Sequence, residues 1–207
     1  MRNATLKICL VLLFAQMLGG CAAAAIAGAA AGSAGAVSVA ADRRTAGTML
    51  EDEAIELKAR QALMAEKELN ALTHVNMTSY NGMVLLTGEA PTEALRGRVV
   101  ELVRNVEKVK LVYDEMTVGA PSSLTSRSSD TLLTTKVKTS LVTNPDTTAF
   151  NVKVVTENGI VYLMGLLTVE EGKRAMDTAR QVEGVQKVIS LFQQTAAADR
   201  AAGYRKG

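Results

Sequence analysis

The chain has 207 residues, 48% of them apolar but only 3% aromatic and none of them Trp. That composition allows one large or two small aliphatic cores and excludes a large aromatic ligand pocket. The formal net charge is +2, and 21 basic face 21 acidic residues once Arg2 and Lys7 are set aside with a leader; a neutral chain is not that of a nucleic-acid binder.

Residues 1–20 read as a lipoprotein signal peptide: a basic start with Arg2 and Lys7, an apolar run from Ile8 to Leu18, then Leu18-Gly19-Gly20-Cys21. Small residues before a Cys are the bacterial lipobox, and the apolar run is short for a membrane span. Cys21 is therefore the expected lipidation site. Cys9 leaves with the signal, so no thiol remains for a disulfide or a metal. Several acyl chains on one Cys anchor stably where one would not. Ala22, not Asp, follows Cys21, which favours the outer membrane, facing the periplasm. Residues 21–50, rich in Ala and Gly, read as a tether. Their Gly28-xxx-Gly32 spacing occurs by chance in such tracts.

From Glu51 the periodicities are those of folded elements. Ile55, Ala59, Ala62 and Leu63 share one helical face. Val75, Met77 and Ser79 alternate with polar neighbours, as in a strand. Asn81-Gly82 suits a two-residue type I′ hairpin turn. Met83 to Thr87 is the return strand, with Gly88 at its end. Thr92 caps a helix along which Leu95, Val99, Leu102, Val103 and Val106 form a stripe. Leu111 to Val118 is a closing strand.

The order helix, strand, strand, helix, strand then repeats. Leu133, Val137 and Leu141 line a helix that Asn144-Pro145-Asp146 stops. Val152, Val154 and Thr156 mark one side of a strand, Asn158-Gly159 turns, and Ile160 to Met164 returns to Gly165. Thr168 caps a second helix, and Lys187 to Gln193 closes the sheet. Asn81-Gly82 maps onto Asn158-Gly159 at an offset of 77 residues. The chain is thus a tandem duplication: first unit 51–119, linker 120–129, second unit 130–194, C-terminal tail 195–207. The first unit carries 12 acidic against 8 basic residues, and residues 120–207 are net basic.

The element order, the N-G-x-V-x-L-x-G hairpins at Asn81 and Asn158, and V-E-G-V-x-x-V at Val182 to Val188 resemble the BON domain. Two copies behind a lipobox resemble the dual BON-domain outer-membrane lipoproteins. Asp42 to Thr48 and Ser129 to Lys138 share in that resemblance. It implies an α+β fold of two tandem αββαβ domains, each a three-stranded mixed sheet with two helices on one face. It also implies a non-enzymatic protein without cofactors that binds anionic phospholipid and supports outer-membrane integrity, with a link to division sites. In that family the first helix of the second domain makes the lipid contact, which places the lipid-binding residues at Leu132, Lys136 and Lys138. A member of that family has a Trp at the position of Leu132; Leu inserts without that interfacial anchor, so weaker membrane affinity is expected. Lys136 and Lys138 read equally as the solvated face of their helix. A second functional class stays open, a periplasmic adaptor whose acidic first domain or exposed sheet edge docks an envelope protein.

No Ser/His/Asp arrangement is recognisable. Glu51, Asp52, Glu53 and Glu56 read as an acidic first helical turn favoured by the helix dipole. His74, the single histidine, has no Cys or second His near it in sequence and reads as a strand residue, not a metal ligand.

Overall fold

A computed structural model describes residues 42–195. The signal peptide at 1–20, Cys21, most of the tether and nearly all of the C-terminal tail lie outside the described residues. No helix among those described is long and apolar enough to cross a membrane.

The first domain runs α1 (Ala46–Ala65), α2 (Lys67–Leu72), β1 (His74–Tyr80), β2 (Met83–Ala90), α3 (Glu93–Arg104), β3 (Leu111–Asp114) and β4 (Thr117–Val118). The second runs α4 (Leu124–Thr143), a 3-10 turn at Ala149–Asn151, β5 (Val152–Glu157), β6 (Ile160–Leu167), α5 (Val169–Arg180) and β7 (Lys187–Gln194). In each sheet the second strand is central. It is antiparallel to the strand before it and parallel to the one after the helix. The result is two three-stranded mixed sheets, as expected, with β4 as a short extra pairing on β2.

Alternation along the central strands organises the whole core. On β2, Val84 and Leu86 join Ile55, Ala59 and Leu63 of α1 and Val99 and Val103 of α3. On β6, Val161 and Leu163 join Leu133, Val137 and Leu141 of α4 and Ala175 and Ala179 of α5. The other faces meet each other: Tyr80, Met83 and Leu85 pack with Tyr162, Met164 and Leu191. Every residue of β2 is buried. This double-sided burial explains why Met83 to Leu86 and Ile160 to Met164 are continuous apolar runs, where a half-exposed strand would alternate.

Several expected boundaries move. The tether expected through residue 50 gives way to helix at Ala46, where the Thr45 hydroxyl accepts from the Thr48 N–H at 3.1 Å. The linker expected at 120–129 is helical from Leu124, capped by Ser123. Its Ser and Thr residues do not loosen it, because their hydroxyls bond back one turn: Ser128 to Leu124 O at 2.9 Å and Ser129 to Thr125 O at 3.1 Å. Gly88 and Gly165 do not end their strands; each lies inside one, where a Cβ would sit 2.1 Å from His74 O and 2.4 Å from Asn151 O respectively. The closing strand of the first domain is interrupted, with Met116 turned into the core at 3% exposure.

Candidate functional site

Both hairpins are held by a buried carboxylate from the helix that opens the domain. Asp52 on α1 accepts from Asn81 N at 2.7 Å, Gly82 N at 2.9 Å and Ser79 Oγ at 2.7 Å. Asp130 on α4 accepts from Asn158 N at 2.9 Å and Gly159 N at 2.8 Å. The turns need this, because Asn81 (φ 53°) and Asn158 (φ 50°) adopt left-handed backbone and their N–H groups point inward. The acidic first turn read for Glu51 to Glu56 is therefore corrected. The helix starts a turn earlier, and Asp52 is a buried acceptor at 3% exposure. Burial pushes its pKa up, but hydrogen bonds from Gly82, Ser79, Asn81 and Arg44 outweigh burial and hold it below the usual carboxylate value. The duplication itself carried a signal for this pair: Asp52 lies 30 residues before Gly82 and Asp130 lies 29 before Gly159.

The hairpin asparagines do more than turn the chain. Asn81 Nδ2 donates to Gln193 of the second domain, and Asn158 Nδ2 donates to Glu89 of the first at 3.1 Å.

Fixing Asp130 inward fixes what α4 shows to solvent. Leu133, Val137 and Leu141 are buried on the Asp130 side. Leu132 is 66% exposed, and Leu124 and Val142, at the two ends of the helix, are exposed as well. Arg127 is half-buried, and Lys136 and Lys138 are exposed. Asp130 is the helix's single acid, and it is spent on the hairpin, so no carboxylate faces solvent from α4. Leu132 and Lys136 line an open groove of about 730 Å³, closed on its far side by Asn158, Gly159, Glu183, Gly184 and Gln186. Lys138 is not among the lining residues. Six residues from Leu132, it falls some 120° from it around the helix axis, whereas Lys136 falls about 40° away. The structure thus brings two of the three expected lipid-binding residues together and sets the third on the other flank of the exposed face. Cys21 lies outside the described residues.

Residues absent from the expected site tie the two domains together. Arg43 donates to both carboxylate oxygens of Glu171, at 2.8 and 3.0 Å, and to Leu166 O at 2.8 Å. Arg44 donates to Asp42 and to Asp52, and its guanidinium lies 3.9 Å from the centre of the Tyr80 ring. Tyr80 Oη donates to Asn151 O at 3.2 Å. Glu171 is fully buried, and burial pushes its pKa up; the Arg43 guanidinium and the Thr168 donors more than reverse this, bringing it to about 2.

Comparison with known proteins agrees with this architecture. The family model described as the BON domain matches twice, at residues 51–120 and 129–196. The chain is 39% identical over 186 residues to the outer membrane lipoprotein DolP of Haemophilus influenzae, covering 90% of this chain and 94% of that one. It is 37% identical to a 21 kDa hemolysin of Actinobacillus pleuropneumoniae, over 73% of this chain and 78% of that protein. Osmotically-inducible protein Y of Escherichia coli is 28% identical, over 69% of this chain and 72% of its own length.

Proposed function

The chain belongs to the BON-domain family, as a two-domain lipoprotein of the outer membrane, and from that premise we propose that its second domain binds an anionic phospholipid surface through α4 and thereby supports outer-membrane integrity, including at division sites. BON domains are associated with membrane interaction. The observation that carries the proposal is the solvent face of α4: Leu124, Leu132 and Val142 are exposed along it, Lys136 and Lys138 are exposed too, and the helix's one acid is turned inward. Apolar side chains that reach past the headgroups, beside lysines that meet phosphates, are the features of a helix lying in the interface. Each Lys near an anionic surface contributes about 1 kcal/mol, screened within a Debye length. Anchorage through an acylated Cys21 would hold the domain near such a surface, so modest intrinsic affinity suffices.

α1 occupies the same place in the first domain, and it too exposes apolar side chains, Leu50, Leu57 and Met64. What sets it apart is acid: its exposed face carries Glu51 and Glu53 beside Lys58 and Arg60, where the one acid of α4 is turned inward. That difference in exposed carboxylates favours α4 for an anionic surface and leaves the acidic first domain as the surface for the alternative, an envelope protein partner.

Co-sedimentation with vesicles of neutral lipid alone and with added anionic lipid tests the proposal. Binding should require the anionic component and fall at least tenfold in a Leu132→Asp, Lys136→Glu variant. Lys138→Glu should fall by less. Unchanged sedimentation of the double variant would remove α4 as the site. A protein crosslinked in cells through the first domain, with no lipid binding by the second, would support the adaptor instead.

A further inference from the structure

The one histidine of the chain does not stand alone in the fold. His74 opens β1 and pairs directly with Glu89 on β2, so their side chains share the face turned toward the second domain. From that domain Glu157, the last residue of β5, reaches the same point. The ligand-capable atoms of His74, Glu89 and Glu157 all lie within 4.8 Å of one another. His74 Nδ1 is 3.2 Å from Glu89 Oε2. Two donors bound tetrahedrally to one zinc ion at about 2.0–2.2 Å stand roughly 3.3–3.6 Å apart. One edge of the triangle is therefore already near a coordinating geometry, and the other edges need only a shift of about an ångström.

Electrostatics gives the cluster its direction. Glu89 is 3% exposed and Glu157 is 6% exposed. Among the described residues Glu157 takes part in no ion pair; Glu89 has His74 as its one ion-pair partner and also accepts from the Ser122 N–H and hydroxyl. Buried carboxylates that face one another are paired or hold a cation. Their outer oxygens are already oriented by amides from the opposite domain: Asn158 Nδ2 donates to Glu89 Oε1 at 3.1 Å, and Asn76 Nδ2 donates to Glu157 Oε2 at 2.8 Å. Such outer contacts aim carboxylates at a metal. An independent observation lies beside them. Thr87, 1% exposed, sits on the same face of β2 as Glu89, opposite Asn76. Its Oγ1 is buried without a hydrogen-bond partner. Neither the sheet pairing nor the hairpins use this hydroxyl.

We propose that His74, Glu89 and Glu157 form a divalent transition-metal site, with zinc as its natural occupant, that cross-braces the two domains. One imidazole nitrogen and two carboxylate oxygens fit zinc, with water as the remaining ligand; the buried Thr87 hydroxyl lies on the same strand face, two residues from Glu89. The side chain of His74 is 23% exposed, which leaves the ion a way in. The imidazole disfavours magnesium and calcium, which take oxygen ligands. Because two ligands come from one domain and the third from the other, the ion would stabilise the pair of domains, not one of them.

The test uses the mature chain in detergent, stripped with a chelator and titrated with zinc chloride by calorimetry. One zinc per chain should bind and raise Tm, while magnesium at the same concentration should not. His74→Asn and Glu157→Gln should each weaken binding at least tenfold, and Asn76→Ala by roughly 10–100-fold, as for other outer contacts. Should a variant fail to fold, the unmodified chain still decides. With a single histidine, its imidazole proton signals in NMR are unambiguous, and they should shift with zinc and stop at one equivalent. Absence of saturable uptake, imidazole signals that do not move, or equal uptake by the His74→Asn, Glu157→Gln double variant would each overturn the site.

Discussion

Asp130 and Asp52 show how much one side chain can organise. Each satisfies two inward-facing turn N–H groups, and each leaves its helix's outer face to other residues. In Asp130→Asn the amide can accept with one oxygen only, so a partly buried N–H loses its partner. We expect a loss of about 1–3 kcal/mol, read as a lower urea midpoint at unchanged slope. Lys108 is the opposite case. It holds φ at 72°, where the second domain has Gly184 at 99°. A side chain in left-handed backbone costs roughly 1–2 kcal/mol, partly offset in glycine by its greater unfolded-state entropy. Its 3.6 Å contact with Glu51 is between exposed groups and returns little. Lys108→Gly should therefore raise stability by about 0.5–1 kcal/mol, measurable by the same denaturation.

Two neighbouring leucines divide the labour of α4. Leu133 is 7% exposed and Leu132 66% exposed, because consecutive residues lie about 100° apart on a helix. Leu133→Ala should cost about 2–5 kcal/mol through the cavity it leaves and unfold the second domain at lower urea. Leu132→Ala should change stability by less than about 0.5 kcal/mol yet reduce vesicle binding. A variant pair that behaved alike in both assays would contradict this assignment. Helix stripes and strand alternation made the core residues readable from period alone. The start of α4 was not readable, since Ser- and Thr-rich composition is shared by linkers and by helices whose hydroxyls bond back to the previous turn.

Across the whole described chain, the two sheets are joined by an apolar face and by Arg43. Glu171, held at a pKa of about 2 instead of 4.5, links that junction to pH. Its folded-state pKa is depressed, so the stabilisation is fully present above about pH 4.5 and is lost as pH falls from there toward 2. The shift corresponds to an effect on the order of 3 kcal/mol. Acid denaturation of the unmodified chain should steepen across that interval. In Glu171→Gln the dependence should flatten, with lower stability at pH 7 because the buried Arg43 contact loses its charge partner. Similar acid profiles for the two chains would show that Glu171 does not carry this dependence.

The duplication, both hairpins, the helix faces and the membership of the BON family could all be read from the order of residues. They depend on local periodicity, on the positive φ that Asn-Gly turns adopt, and on spacing along the chain. The apolar runs at Met83 and Ile160 already hinted at strands covered on both sides, without saying by what. The facing of the two sheets, the reach of Arg43 to Glu171 across 128 residues and the meeting of His74, Glu89 and Glu157 came only with the folded chain. These contacts are long-range and depend on which sheet face each side chain occupies. A single histidine looks inert when its partners are sought nearby in sequence. Packing two sheets face to face is what places two carboxylates beside it.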